Sequence, residues 1–180
     1  MRFVSILLLG GLVNPALGTT VIDFEDWTGG TGDQTSITSG GFNFTGAAFF
    51  IAPHPDGGNP TLSLQMRVGV LEVSKVGGGT FSIISLDLQE GLPAHLATVV
   101  SLTGISNSRG VVVKELFFLD GLPDTYETFY PVGFVGIDRL LLQAEPGPSP
   151  TFSLDNIVIP EPATLCMVVL ASCLLHKPRS

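Results

Sequence analysis

The sequence predicts an all-β protein, an antiparallel β-sandwich of the jelly-roll kind, and three observations carry that expectation. Short segments rich in β-branched and aromatic residues recur with near-alternation of apolar and polar positions, the period of a strand with one face in a core. Glycine and proline punctuate the intervals, 22 and 13 of them in 180 residues, more breaks than a helical protein tolerates. Between the two ends of the chain no convincing amphipathic helix stands out. Eight or nine strands bury their apolar faces most simply as two packed sheets.

From the N-terminus, Met1-Arg2 supplies a positive start and Phe3 to Val13 an apolar stretch broken only by Ser5 and glycines. Ala16-Leu17-Gly18 then places small residues where a signal peptidase reads. Residues 1–18 are expected to be a signal peptide, cleaved before Thr19. Strands are expected over Thr20 to Glu25, Phe42 to Ile51, Thr61 to Val76, Thr80 to Gln89, Ala97 to Ile105, Gly110 to Leu119, Thr125 to Phe134, Ile137 to Gln143 and Phe152 to Ile159. The turn material between them includes Gly29 to Asp33, Pro53 to Pro60, Glu90 to Pro93 and Asp120 to Pro123. Glu90 to Ala97 is the best place for a short helical turn. Gly77-Gly78-Gly79 follows a strand but lacks the lysine and helix of a phosphate loop, so it reads as a hairpin turn.

The domain is expected to stop at Pro160. In Pro160-Glu161-Pro162, Pro162 has no amide hydrogen and biases Glu161 toward an extended conformation, so neither a helix interior nor a central strand fits. Ala163 to Leu175 follows as an apolar run that spans about 20 Å as a helix, against roughly 30 Å of bilayer hydrocarbon. It reads as a short or temporary membrane anchor, with Lys177 and Arg179 as a basic stop on the cytoplasmic side. Together these residues resemble the PEP-CTERM sorting tail of bacterial envelope proteins. That resemblance implies Sec export, retention by the C-terminal helix, and cleavage near residues 160–162 by an exosortase, a membrane-embedded enzyme with a cysteine nucleophile. It places the product in the cell envelope or extracellular matrix, in the company of exopolysaccharide.

Residues 19–160 suffice for one domain with a real core. They hold five of the eight basic residues and 15 of the 16 acidic ones, a net charge of −10. Such a field opposes nucleic acid and anionic lipid and favours cations or neutral sugars. Cys166 and Cys173 both lie in the tail, so a disulfide framework is excluded from the domain. The first strand, Val21-Ile22-Asp23-Phe24-Glu25-Asp26-Trp27, and the last, Phe152-Ser153-Leu154-Asp155-Asn156-Ile157, resemble the opening and closing strands of galactose-binding-like jelly rolls. The segments Phe81 to Leu88 and Val99 to Gly104 resemble their central strands.

Two places invite chemistry. Jelly-roll topology brings the first and last strands together, so Glu25 or Asp23 is expected to meet Asp155, and the family resemblance implies a structural calcium ion held by Glu25 and Asp155. The competing reading has Asp155 and Asn156 capping a turn through side-chain to backbone hydrogen bonds, with Glu25 solvated. The loop carrying His54, Asp56 and Asn59 offers an imidazole, a carboxylate and an amide on one turn, and with Trp27 as a stacking ring it makes a candidate sugar site. Equally, Trp27 fits as rim packing and the loop as a solvated connector. Catalysis finds little support, since no G-x-S-x-G elbow exists and His54 and His95 have no metal-ligand spacing.

The expected function is a non-enzymatic, exported envelope or matrix protein associated with exopolysaccharide. The alternatives are a calcium-supported, lectin-like carbohydrate-binding module and, less well supported, a polysaccharide hydrolase or lyase. The intact mass of the protein recovered from its native envelope is expected to match a chain starting at Thr19 and ending near Pro160. A mass that retains the tail would remove the exosortase from this scheme.

Overall fold

A computed structural model describes residues 18–30, 32–53, 62–90, 99–120, 125–145 and 151–161. Residues 1–17 of the expected signal peptide, the loop with His54, Asp56 and Asn59, most of the expected helical turn at 90–97, Pro162, the Ala163 to Leu175 helix, Lys177 and Arg179 lie outside them. Thr20–Pro160 forms one compact unit. Its strands are β1 (Thr19–Ile22), β2 (Gln34–Ser39), β3 (Phe42–Pro53), β4 (Leu62–Val68), β5 (Val70–Lys75), β6 (Ser85–Glu90), β7 (Val99–Ser106), β8 (Gly110–Phe118), β9 (Glu127–Phe129), β10 (Arg139–Glu145) and β11 (Phe152–Pro160). No helix occurs among the described residues.

The architecture is the expected antiparallel β-sandwich. Hydrogen bonds run through a continuous order β8-β7-β10-β5-β3-β4-β11-β6-β9, with β1 on β11 and β2 on β3. The path folds over on itself at β3. Its first half, Phe42 to Thr45, pairs with β5, and its second, Ala48 to Pro53, pairs with β4. β4 and β5 are two stretches of one ribbon, the single strand expected over Thr61 to Val76, broken only at Gly69. Gly69 sits at φ +88°, a conformation that disfavours a side chain, and a Cβ there would lie 3.2 Å from that of Ala47. Across the ribbon, a Cβ on Gly46 would come within 3.3 Å of the Val70 carbonyl oxygen. Small residues on both sides let the ribbon bend, so one layer (β3, β5, β10, β7, β8) turns into the other (β3, β4, β11, β6, β9).

Alternation then places the core. Phe42, Phe44, Leu71, Val73, Leu140, Leu142, Val100 and Leu102 project inward from one layer, and Phe49, Ile51, Leu64, Met66, Leu86, Leu88, Phe152 and Leu154 from the other, all buried. Edge-on aromatic pairs tie the layers and loops together, Phe24 with Phe44 at 5.0 Å and Phe42 with Phe81 at 5.1 Å. The first and last strands pair, as the jelly-roll reading requires.

Four expectations are corrected. β2 was not foreseen because Gln-Thr-Ser-Ile-Thr-Ser has a single large apolar residue, Ile37, and reads as loop. Gly77 to Gly79 does form a turn, with the Gly78 amide donating to the Lys75 carbonyl at 3.0 Å. It is not a hairpin, since β5 pairs with β3 and β10 while the next strand, β6, pairs with β11 and β9. The strand expected from Thr80 begins only at Ser85, Phe81 being held by a lone bridge to Ile137. The strand expected over Thr125 to Phe134 shrinks to Glu127–Phe129, because Pro131 and Gly133 interrupt it.

Gly104 tests the packing of β7 against β8 and the segment before β10. A Cβ there would lie 2.6 Å from Val113 Cγ1 and 2.9 Å from Ile137 Cγ2. Gly104→Ala is expected to destabilise the domain by about 1–3 kcal/mol through overpacking, read as a lower urea midpoint with an unchanged slope.

Candidate functional site

Three arrangements gather polar or charged groups. The first lies where β11 runs between β4 and β6. Phe152 and Leu154 face the core, so Ser153 and Asp155 fall on the other face, Ser153 opposite Gln65 and Gln89 and Asp155 opposite Asp87. That face is nonetheless closed: Ser63, Gln65, Gln89 and Ser153 are buried, and Asp155 is only 1% exposed. Asp155 Oδ1 accepts the Asn156 amide at 2.8 Å. Asp87 accepts the Thr128 hydroxyl at 2.7 Å and the Asn156 side-chain amide at 2.9 Å. Burial, reinforced by the charges of Asp87, Asp23 and Glu25, pushes the Asp155 carboxyl up to about 7, against the pull of the Asn156 amide. Burial also pushes the neighbouring Tyr126 phenol up to about 12, with Asp155 and Asp87 adding to the shift and hydrogen bonds with Ser63 and Ser153 opposing it.

Two non-glycine residues with positive φ, Phe24 at 60° and Asn156 at 46°, flank this group. The Phe24 conformation turns the chain sharply after β1, with the Trp27 amide donating to the Phe24 carbonyl at 3.0 Å. Glu25 is thereby exposed, and its carboxylate accepts the Leu62 amide. The structure therefore brings Asp23, Glu25 and Asp155 within electrostatic reach of one another, and it also gives Asp155 the local hydrogen bond of the capping reading. Trp27 is half-buried against the core, its ring so close to Gly29 that a Cβ there would lie 2.0 Å from Cζ2. Packing occupies that ring.

A second arrangement lies where the path nearly closes. Glu90 at the end of β6, Asp120 after β8 and Glu127 in β9 place carboxylate oxygens within 4.8 Å of one another, a possible metal cluster. Glu90 is buried, and the Asp120 amide donates to Glu127 Oε1 at 2.8 Å. Among the described residues these three form a group of carboxylates that could hold a metal ion. Sequence reading missed them because Glu90 and Asp120 were assigned to turn material and the three meet only when β9 pairs with β6.

The third is a hollow of about 490 Å³ at the bend of the ribbon, lined by Thr45, Gly46, Ala47, Val70, Glu72 and Leu141. Gly46, Ala47, Val70 and Leu141 make its lining partly apolar, and Thr45 and Glu72 add polar groups. Arg139 Nη1 bonds Glu72 Oε2 at 3.3 Å, which fixes a donor fork and a carboxylate beside the opening. No sequence motif announces this hollow, since its residues come from β3, β5 and β10 and meet only through register.

No protein-family model matches the sequence, and no curated protein matches it. Solved structures do match in shape. One is a mutant of CBM29-2, from work on ligand recognition by family 29 carbohydrate-binding modules, with a TM-score of 0.50 at 16% identity over 78% of this chain and 90% of that one. Another is a family 29 carbohydrate-binding module, with a TM-score of 0.50 at 16% identity over 78% and 86%. The likeness is one of fold.

Asp155 supplies a pH test. The folded carboxyl keeps its proton up to about 7, whereas an unfolded chain releases it near the ordinary 3.8. Between those values the folded state binds more protons, so this group's contribution to stability declines as pH rises through the window. Urea midpoints are expected to show that decline, and Asp155→Asn is expected to flatten it.

Proposed function

We propose that this chain is an exported, non-catalytic carbohydrate-binding module that works in the envelope or extracellular matrix of a bacterium. The observation that carries the reading is the hollow at the bend of β3. Sugar recognition needs a small number of fixed polar groups beside an apolar surface for the C–H face of the ring, and Glu72 with Arg139, next to Val70 and Leu141, supplies both. Its volume lies within the range of small-molecule sites. Support also comes from the shared fold of family 29 carbohydrate-binding modules, a fold-level analogy. The acidic surface, with a net charge of −10 over residues 19–160, disfavours nucleic acid and acidic polymers.

In this reading the PEP-CTERM-like tail is the address. A signal peptidase removes residues 1–18, the apolar tail holds the domain at the membrane, and an exosortase acts near Pro160-Glu161-Pro162, releasing the module among exopolysaccharide. Calcium has a supporting role at Glu90, Asp120 and Glu127, where three carboxylates from separate segments crowd together and a hard divalent cation would relieve their repulsion. A bound ion there would fasten β9 to β6 and to the end of β8.

Affinity electrophoresis of the purified protein through gels containing neutral glucans, mannans, galactans or xylans tests the reading. At least one polymer is expected to retard the protein, and Val70→Arg, which fills the hollow from an exposed position, is expected to weaken retention at least about tenfold, or 1.4 kcal/mol. Chelating calcium is expected to weaken it less. Unretarded migration in every gel would sink the proposal.

A further inference from the structure

The hollow is one end of a longer feature. Thr45 on β3 stands opposite Glu72 on β5, Glu72 opposite Leu141 on β10, Leu141 opposite Thr103 on β7, and Thr103 opposite Lys114 on β8. Directly opposed residues share a face of the sheet, so these side chains form one unbroken row across the outer surface of the layer. Thr45 and Lys114 at its ends are exposed, and the three between them are partly so. Four strand spacings separate the ends, roughly 19 Å. Along the row the groups run hydroxyl, carboxylate, aliphatic side chain, hydroxyl and ammonium.

Charge along the row is balanced in place. Arg139 pairs with Glu72 at 3.3 Å and Lys114 with Glu145 at 4.0 Å, so this face presents polar groups without a net field. A neutral polymer suits such a surface, whereas an acidic one meets the negative remainder of the domain. An extended pyranose chain advances by about one strand spacing per sugar, so a row of this length covers about four of them.

We propose that this cross-strand row is an extended binding face for a neutral, linear polysaccharide. About four consecutive sugars lie perpendicular to the strands, from the hollow at Thr45 to Lys114. The proposal rests on the carbohydrate-binding reading above and adds the ligand class: an internal stretch of a polymer, and not a terminal sugar or a free monosaccharide.

The test uses the polysaccharide that most retards the protein, cut by partial acid hydrolysis into size-sorted fragments and titrated calorimetrically. Affinity is expected to rise at least about tenfold from the disaccharide to the tetrasaccharide and then level off. Thr103→Glu, fourth in the row, away from the hollow and able to pair with Lys114, is expected to reduce tetrasaccharide affinity to the disaccharide level while leaving disaccharide binding and the circular dichroism spectrum unchanged. Equal affinity for disaccharide and tetrasaccharide, or full affinity in the Thr103→Glu variant, overturns the row while leaving the hollow as a sugar site. Self-association that excludes the polymer assigns the face to a second copy of the chain and also overturns it. Absence of retardation in every gel removes both proposals together.

Discussion

The bend in the long β3/β4-β5 ribbon is the constraint on which the rest of the structure depends. A ribbon this long cannot stay in one twisted layer and still bury both of its apolar halves, so it must fold over, and backbone from opposing strands must approach closely where it does. Gly46 and Gly69 permit that approach because neither adds a side chain to the corner. Six further strands are placed by which half of the ribbon they extend, β10, β7 and β8 beyond β5, and β11, β6 and β9 beyond β4, while β2 pairs with β3 and β1 with β11. The hollow lined by Thr45, Gly46, Ala47, Val70, Glu72 and Leu141 lies at the same corner, so the candidate sugar site sits where the ribbon bends.

The acidity of the domain has a structural use beyond solubility. Carboxylates accept backbone amides at one loop after another: Asp26 from Gly40, Glu25 from Leu62, Asp138 from Asn107, Glu127 from Asp120 and Glu115 from Val132. A chain with this many irregular connections exposes many amides that no sheet neighbour satisfies, and short acidic side chains supply acceptors for them. The seam between β8 and the segment after β9 depends on this arrangement. There the Glu127 and Glu115 bonds, together with the contact of Phe117 and Phe129 at 4.7 Å, hold together segments that share no ladder. Hydrogen bonds from the Ser39 hydroxyl and the Gly40 amide hold the Asp26 carboxyl below its ordinary value, a mark of the same pattern. Asp155 is the exception, a carboxyl pushed up to about 7 by burial and by the like charges around it.

The ends of the domain meet. Gly18 accepts the Glu161 amide at 2.7 Å, so the two expected processing points lie side by side, one on each side of the paired first and last strands.

By itself the sequence determined the class of the fold, because alternation and turn residues are local properties that survive any arrangement of the strands. Through the jelly-roll resemblance it also placed the first strand near the last, and the two pair. It did not disclose β2, whose single apolar residue gives no periodic signal, nor the route of the chain after Gly77, since a turn does not say which sheet the next strand joins. The ring of Trp27, read from the sequence either as rim packing or as a stacking platform, is partly buried against the core and close to Gly29. Only the tertiary structure brought Glu90 to Asp120 and Glu127, and aligned Thr45, Glu72, Leu141, Thr103 and Lys114 in one row. Both depend on register between strands distant in sequence, and register is set by the shared core rather than by any residue's neighbours along the chain.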